Sequence, residues 1–162
     1  GIGHVFSSSH ISDEEAEKEL MNYVEADPHL AKQQPRPRKI SFQPGHRQTF
    51  WHKNCVAVGV SAGFVEPLEA SALVLIEKSA EYISNNLPQG KPEMAVVAKR
   101  FNEIIHRYWV EIIDFLKLHY VLSERKDSQY WLDHSKPESL PQSLNDYLAL
   151  WNIWPLQFLF LQ

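Results

Sequence analysis

The sequence predicts a mainly α protein with one small β patch, an α+β class, and three observations carry that expectation. Apolar residues recur at helical spacing over two long stretches, residues 68–85 and 92–119. β-type runs are confined to residues 39–60. A chain of 162 residues with 44% hydrophobic and 22% charged residues is ordinary for one globular domain able to bury its own core.

Taken in order, Ser12-Asp13-Glu14-Glu15 places a capping oxygen three residues before a glutamate, so a helix is expected from here to about Val24. Gln34-Pro35-Arg36-Pro37-Arg38 cannot be helical and leads in extended form to a short strand, Lys39-Ile40-Ser41-Phe42. Pro44-Gly45 turns the chain. Residues 48–51 and 55–60 read as two further strands, the second a Val-rich run suited to a buried position. A helix follows with Leu68, Ala72, Leu75, Ile76, Ala80 and Ile83 on one face, ending against Asn86-Leu87-Pro88-Gln89-Gly90. Pro92 opens a longer helix whose face runs through Met94, Val97, Phe101, Ile104, Ile105, Tyr108, Ile112, Phe115, Leu116 and His119. After a polar stretch containing Pro137 and Pro141, residues 143–150 are expected to form a last short helix. There is no internal repeat or low-complexity tract.

Sixteen basic against 20 acidic residues give a net charge of -4, which recommends neither a nucleic-acid nor an anionic-membrane partner. The single cysteine, Cys55, excludes an intrachain disulfide and is expected to be a buried small hydrophobe; with no basic leader in the first ten residues, the protein reads as cytoplasmic. The apolar tail at 148–162, with Asn152 and Pro155, is too short for a membrane helix and reads as an interface. A chain that starts without Met and ends on Leu156-Gln157-Phe158-Leu159-Phe160-Leu161 is expected to be a piece of something longer.

The most informative stretch is Val58-Gly59-Val60-Ser61-Ala62-Gly63-Phe64-Val65-Glu66-Pro67-Leu68-Glu69-Ala70-Ser71-Ala72-Leu73. A strand runs through a small-residue turn into a helix opened by Pro67. Amides at a helix start lack intrahelical acceptors and add to the macrodipole, so those around Glu69 to Leu73 suit a small anion. Glu66 and Glu69, three apart, either stabilise the helix end or present a carboxylate to a substrate.

The block Gly63-Phe64-Val65-Glu66-Pro67-Leu68-Glu69-Ala70-Ser71-Ala72 resembles the Gly-Phe-Val-Glu-Pro-Leu-Glu-Ser-Thr-Gly signature of flavin-dependent tryptophan halogenases. Residues 3–20, with Phe6-Ser7-Ser8 and Ile11-Ser12-Asp13-Glu14-Glu15-Ala16, are similar to the segment after that family's central tryptophan motif. Phe101-Asn102 through Asp114-Phe115, His119-Tyr120 and Tyr130-Trp131 are similar to its long helix and the turn beyond. The resemblance implies part of an FAD-dependent monooxygenase/halogenase fold without the start of its Rossmann-type FAD domain. Residues 1–67 would adjoin the flavin and substrate region, and 68–162 would be the helical part of the same incomplete domain.

The resemblance also implies a chemistry. Family members use FADH2, supplied by a separate flavin reductase, and oxygen to oxidise chloride or bromide to a hypohalous acid that reaches a buried tryptophan or other indole. Glu69 matches the catalytic, substrate-facing glutamate, Ser71 and Ala72 match the positions whose amides hold the halide, and Val60 and Leu73 match residues lining the flavin. Homodimerisation is left open. The family's Thr-Gly is Ser71-Ala72 here, and Ala70 replaces a serine. The Gly-x-Gly-x-x-Gly fingerprint, the halogen-relaying lysine and the Trp-x-Trp-x-Ile-Pro motif are absent from these residues; Lys53 and Lys78 do not match the relay lysine. Two other readings stand beside it: a non-enzymatic helical interaction module in which the apolar face of the long helix and the tail from Trp151 to Leu161 dock on a separate chain, and, on the same scaffold as the halogenase reading, a flavin monooxygenase piece without halide chemistry.

Remaining candidates have plainer readings. His4/His10 and His46/His52 are six apart, without a second cysteine, and read as surface or hydrogen-bonding histidines rather than metal ligands. His119 and Tyr120 read as packing residues with a substrate-pocket role as the alternative, and Arg36, Arg38 and Lys39 as a solvated basic run.

Overall fold

The computed structural model describes residues 1–153. Trp154 and the apolar run 156–161 lie outside the described residues. In chain order the elements are α1 (Asp13–Glu25), α2 (Pro28–Ala31), β1 (Gly45–His46), β2 (Trp51–His52), β3 (Cys55–Val56), β4 (Gly63–Phe64), α3 (Ser71–Asn85), α4 (Lys91–Val121), α5 (Gln129–His134) and α6 (Gln142–Ile153). The fold is mainly helical with a small β patch. The chain divides into two compact units, Gly1–Phe42 with Glu124–Asp133, and the remainder.

In the first unit, Ser12 caps α1 as its spacing predicts. Its hydroxyl accepts from the Glu15 amide at 3.2 Å while the Glu15 carboxylate accepts from the Ser12 amide at 3.1 Å. Those bonds hold the Glu15 carboxyl below its ordinary range. Ala16 and Val24 are buried, and Lys39 of the basic run pairs with Asp13. Residues 39–42 run as exposed irregular chain instead of the expected strand. Apolar-polar alternation supplies a face but no edge to pair with.

The second unit holds the larger core. β1 pairs antiparallel with β4, Gly45 opposite Phe64 and His46 opposite Gly63; β2 pairs with β3, Trp51 opposite Val56. Gly63 is needed for the first pairing, since a Cβ there would stand 2.6 Å from the His46 Cβ and 2.7 Å from the Gly45 carbonyl oxygen. The Val-rich run pairs only at its start. After the bond from the Ala57 amide to the Phe50 carbonyl (2.7 Å), Gly59 at φ +64 turns the chain into a single 3-10 turn, Gly59–Ser61. Cys55 is exposed on the β2–β3 hairpin rather than buried, because that hairpin is too short to be covered on both faces.

Phe50 and Trp51 enter the core together with Leu75 of α3 and Phe101, Ile105, Trp109, Ile112 and Leu116 of α4. Each of these large side chains contributes about 2–3 kcal/mol through apolar burial, so the cluster fixes α3 against α4. α4 spans 31 residues, with Pro92 in its first turn. Its C-terminal half is also buried at Asp114 and Lys117, off the apolar stripe, where α6 brings Leu144 to within the interior.

Candidate functional site

The glycine-rich turn and the helix start it feeds form the candidate site. Ser61 Oγ donates to the Val58 carbonyl at 2.8 Å and accepts from the Val58 amide at 3.1 Å, closing the turn on itself. Arg47 fastens it from outside, its Nε donating to the Ser61 carbonyl at 2.6 Å and its amide to the Ala62 carbonyl at 2.8 Å. After β4 the chain passes Pro67 into a 3-10 turn, Leu68–Ala70. There two consecutive non-glycine residues are left-handed, Glu69 at φ 58, ψ 10 and Ala70 at φ 50, ψ 26. Such strain costs on the order of 1–3 kcal/mol per residue and gathers at functional sites.

α3 therefore begins at Ser71, three residues later than the expected start at Leu68, and the positive φ angles fall on Glu69 and Ala70, directly ahead of it. No side chain caps this end. The first amides of the 15-residue helix, those of Ser71, Ala72 and Leu73, have no intrahelical acceptor and stand at its positive end. Ser71 is half-buried and Ala72 exposed; Ala72 also walls a small cavity with Gly59, Gly63 and Trp109.

The end of α4 brings two residues to the two glutamates of the motif. Tyr120 donates from Oη to Glu66 Oε2 at 2.5 Å, a charge-assisted bond. His119 Nε2 lies 3.9 Å from Glu69 Oε1, within ion-pair range, and its Nδ1 donates to the Phe115 carbonyl at 2.8 Å. Behind Tyr120 the His134 ring packs at 4.9 Å, and Lys117 donates to the His134 carbonyl and to Ser139 Oγ, both at 2.9 Å. Burial pushes the Lys117 ammonium below the ordinary lysine range. Lys117 and His134 carry no signal in the sequence, whereas His119 and Tyr120 read there as packing residues with a substrate-pocket role as the alternative. Their signal was the adjacency of a histidine and a tyrosine at the end of an amphipathic helix.

Val60 and Leu73, the expected flavin-lining positions, are 84% and 67% exposed, unusual for residues of their kind. Other candidates take structural places. His4 Nδ1 donates to the Ala16 carbonyl at 3.2 Å, His10 pairs with Asp133 at 3.2 Å, and His46 stacks on Trp109 with ring centroids 5.1 Å apart. Lys78 pairs with Glu81 on the same helix. Among the described residues no cluster of three metal-ligating side chains occurs, and no helix is long and apolar enough to cross a membrane.

A strained turn ahead of an uncapped helix, with one carboxylate bonded by a neighbouring helix and a second approached by it, is a specific arrangement, and the sequence that builds it matches a known family. The tryptophan halogenase family model matches residues 1–155. The chain belongs to that family. It is 31% identical over 153 residues to tryptophan 6-halogenase SttH of Streptomyces toxytricini, a match covering 94% of this chain and 28% of that protein. Among solved structures it resembles a tryptophan halogenase from Shewanella frigidimarina NCIMB 400, at 46% identity and a TM-score of 0.82, covering 91% of this chain and 28% of that one. It also resembles BrvH, a flavin-dependent halogenase from Brevundimonas sp. BAL3, at 38% identity and a TM-score of 0.71, again over 91% and 28%. This chain thus spans little more than a quarter of the length of these relatives, and it is a partial segment of their fold.

Proposed function

We propose that this chain is the segment of a flavin-dependent halogenase that carries the halide site and the substrate-facing carboxylate. The observation that carries the reading is the left-handed Glu69–Ala70 pair set directly before the uncapped start of α3. A turn of that kind faces open amides away from the preceding backbone, where an anion can approach them.

In this reading the amides of Ser71 and Ala72 hold chloride or bromide at the positive helix end. Glu69, exposed and one residue before the turn ends, faces tryptophan or another indole. Its carboxylate stabilises the positive charge that develops on an aromatic ring under electrophilic attack and accepts the proton the ring carbon gives up. FAD, delivered as FADH2 by a separate reductase, supplies with oxygen the oxidation of the halide when bound. Val60 and Leu73 fit such a group in one respect: they expose apolar side chains against which a flat ring can lie. The sequence holds no phosphate-binding fingerprint, so the isolated 162 residues are expected to be catalytically silent.

The test is Glu69→Gln in the full-length protein that carries this segment, supplied with FAD, a flavin reductase, bromide, and tryptophan or indole. Turnover is expected to fall at least about 100-fold, the usual scale for a lost acid-base group, with flavin affinity unchanged. Unchanged turnover removes Glu69 from the site.

A further inference from the structure

We propose that Tyr120 and His119 are positioning residues for the halide turn, Tyr120 acting through Glu66 and His119 through Glu69. The inference rests on the reading of Glu69 and the start of α3 given above, and it adds the residues that hold that turn in place.

The turn needs external ties. Glu69 and Ala70 both sit at positive φ, a conformation that non-glycine residues adopt only where the surroundings impose it, and no side chain caps the helix they open. The ties come from consecutive residues of α4. Side chains of neighbouring helix residues diverge by about 100°, so His119 and Tyr120 reach two different points of the same segment. Tyr120 grips Glu66, where the chain enters the turn, through a 2.5 Å hydrogen bond. His119 faces Glu69, inside the turn, at 3.9 Å.

Both rings are themselves fixed. The Phe115 carbonyl can only accept, so His119 Nδ1 carries the hydrogen of the 2.8 Å bond; Nε2 then attracts the Glu69 carboxylate only in the doubly protonated ring, as a charge 3.9 Å away and not through a hydrogen bond. The imidazole also stands edge-on to the Phe115 ring, centroids 4.6 Å apart. Tyr120 lies against His134, whose Nδ1 accepts from Lys117 at 3.1 Å and whose carbonyl accepts from the same ammonium. Lys117 is 9% exposed and meets no carboxylate among its partners there. Its three bonds tie residues 134–139 to α4 and so wall in the tyrosine.

A positioning role and a packing role separate in kinetics. Tyr120→Phe removes one oxygen and keeps the ring, so a packing residue would tolerate it. If the hydroxyl fixes the turn, the variant presents the Ser71 and Ala72 amides less accurately and the halide KM rises while the indole KM stays level. At His119 two amides divide the ring's duties. Asn reproduces the Nδ1 donor toward Phe115, and Gln places a neutral amide donor at the reach of Nε2 without the charge of a protonated ring.

The experiment uses the full-length protein with a flavin reductase, bromide as the halide and tryptophan or indole as the acceptor, with Glu69→Gln run alongside. Tyr120→Phe is expected to raise the bromide KM about fivefold or more, the scale of one net hydrogen bond, with the melting temperature nearly unchanged. Glu66→Ala, which breaks the same bond from the other side, is expected to do likewise, and the double variant to be no worse than either single. His119→Gln is expected to retain at least about half of kcat, and His119→Asn less. Wild-type bromide KM in both Tyr120→Phe and Glu66→Ala, with Glu69→Gln inactive, overturns the inference and leaves the reading of Glu69 standing. Wild-type turnover in Glu69→Gln overturns that reading and this inference together.

Discussion

Asn102 and Trp51 exchange hydrogen bonds in both directions: the Asn102 Oδ1 accepts from the Trp51 amide at 2.8 Å, and its Nδ2 donates to the Trp51 carbonyl at 3.0 Å. The same oxygen accepts from the Phe50 amide at 2.8 Å. One side chain of α4 thus stands in for a neighbouring strand along β2, next to the two aromatic residues that enter the core. Asn102→Ala strands two amides and a carbonyl beside buried Phe50 and Trp51, and it is expected to cost about 2–3 kcal/mol. The midpoint of urea unfolding measures this; a loss under about 0.5 kcal/mol would show that water replaces the side chain.

Asp114 gives stability an unusual pH dependence. It is 3% exposed, neither carboxylate oxygen accepts a hydrogen bond of ordinary geometry, and burial raises its pKa, with Ser143 opposing only in part. A folded-state pKa above the unfolded one favours the protonated acid. That contribution is fully present below the ordinary aspartate range and is lost as pH rises through the folded value. Glu111, raised by burial against the opposing charge of Arg107 and with a smaller push from Asp114, acts in the same direction. Asp114→Asn is therefore expected to match or exceed wild-type stability at pH near 7, by about 1 kcal/mol, and to lose that advantage in acid. Urea midpoints of both proteins at neutral and acidic pH measure it; a variant clearly less stable at neutral pH would mean that the ionised carboxylate is satisfied.

Local signals were legible in the sequence and non-local ones were not. The Ser12–Glu15 capping box and Pro92 fixed helix starts because both act within one turn, and Phe101, Ile105, Ile112 and Leu116 marked the buried face of α4 through the helical period. The pairing of Gly45 with Phe64 and the absence of a strand at 39–42 depend on which edges meet in space, which alternation does not encode. The residues of the Glu69–Ala72 segment were singled out by resemblance, yet its conformation was not, since neither glutamate nor alanine favours positive φ. Tyr120 meets Glu66 across 54 residues of chain, a contact that only the packing of α4 beside the motif creates.

Strain at Ala70 has a direct signature. At φ 50 an alanine pays a steric cost that glycine avoids, and this offsets the backbone entropy glycine loses on folding. Ala70→Gly is expected to leave the melting temperature unchanged or raise it slightly. Ala80→Gly, in the interior of α3, is expected to cost about 1 kcal/mol. Equal losses at the two positions would show that Ala70 is not held left-handed.

Whether the start of α3 is where this protein handles halide is open to a crystallographic test. Crystals of the full-length protein soaked in bromide, with data collected at the bromine absorption edge, locate the ion by its anomalous signal. A peak is expected within hydrogen-bonding distance of the Ser71 and Ala72 amides, beside the left-handed Glu69–Ala70 turn. Bromide bound elsewhere in the same crystals, with no peak at that helix start, would contradict it.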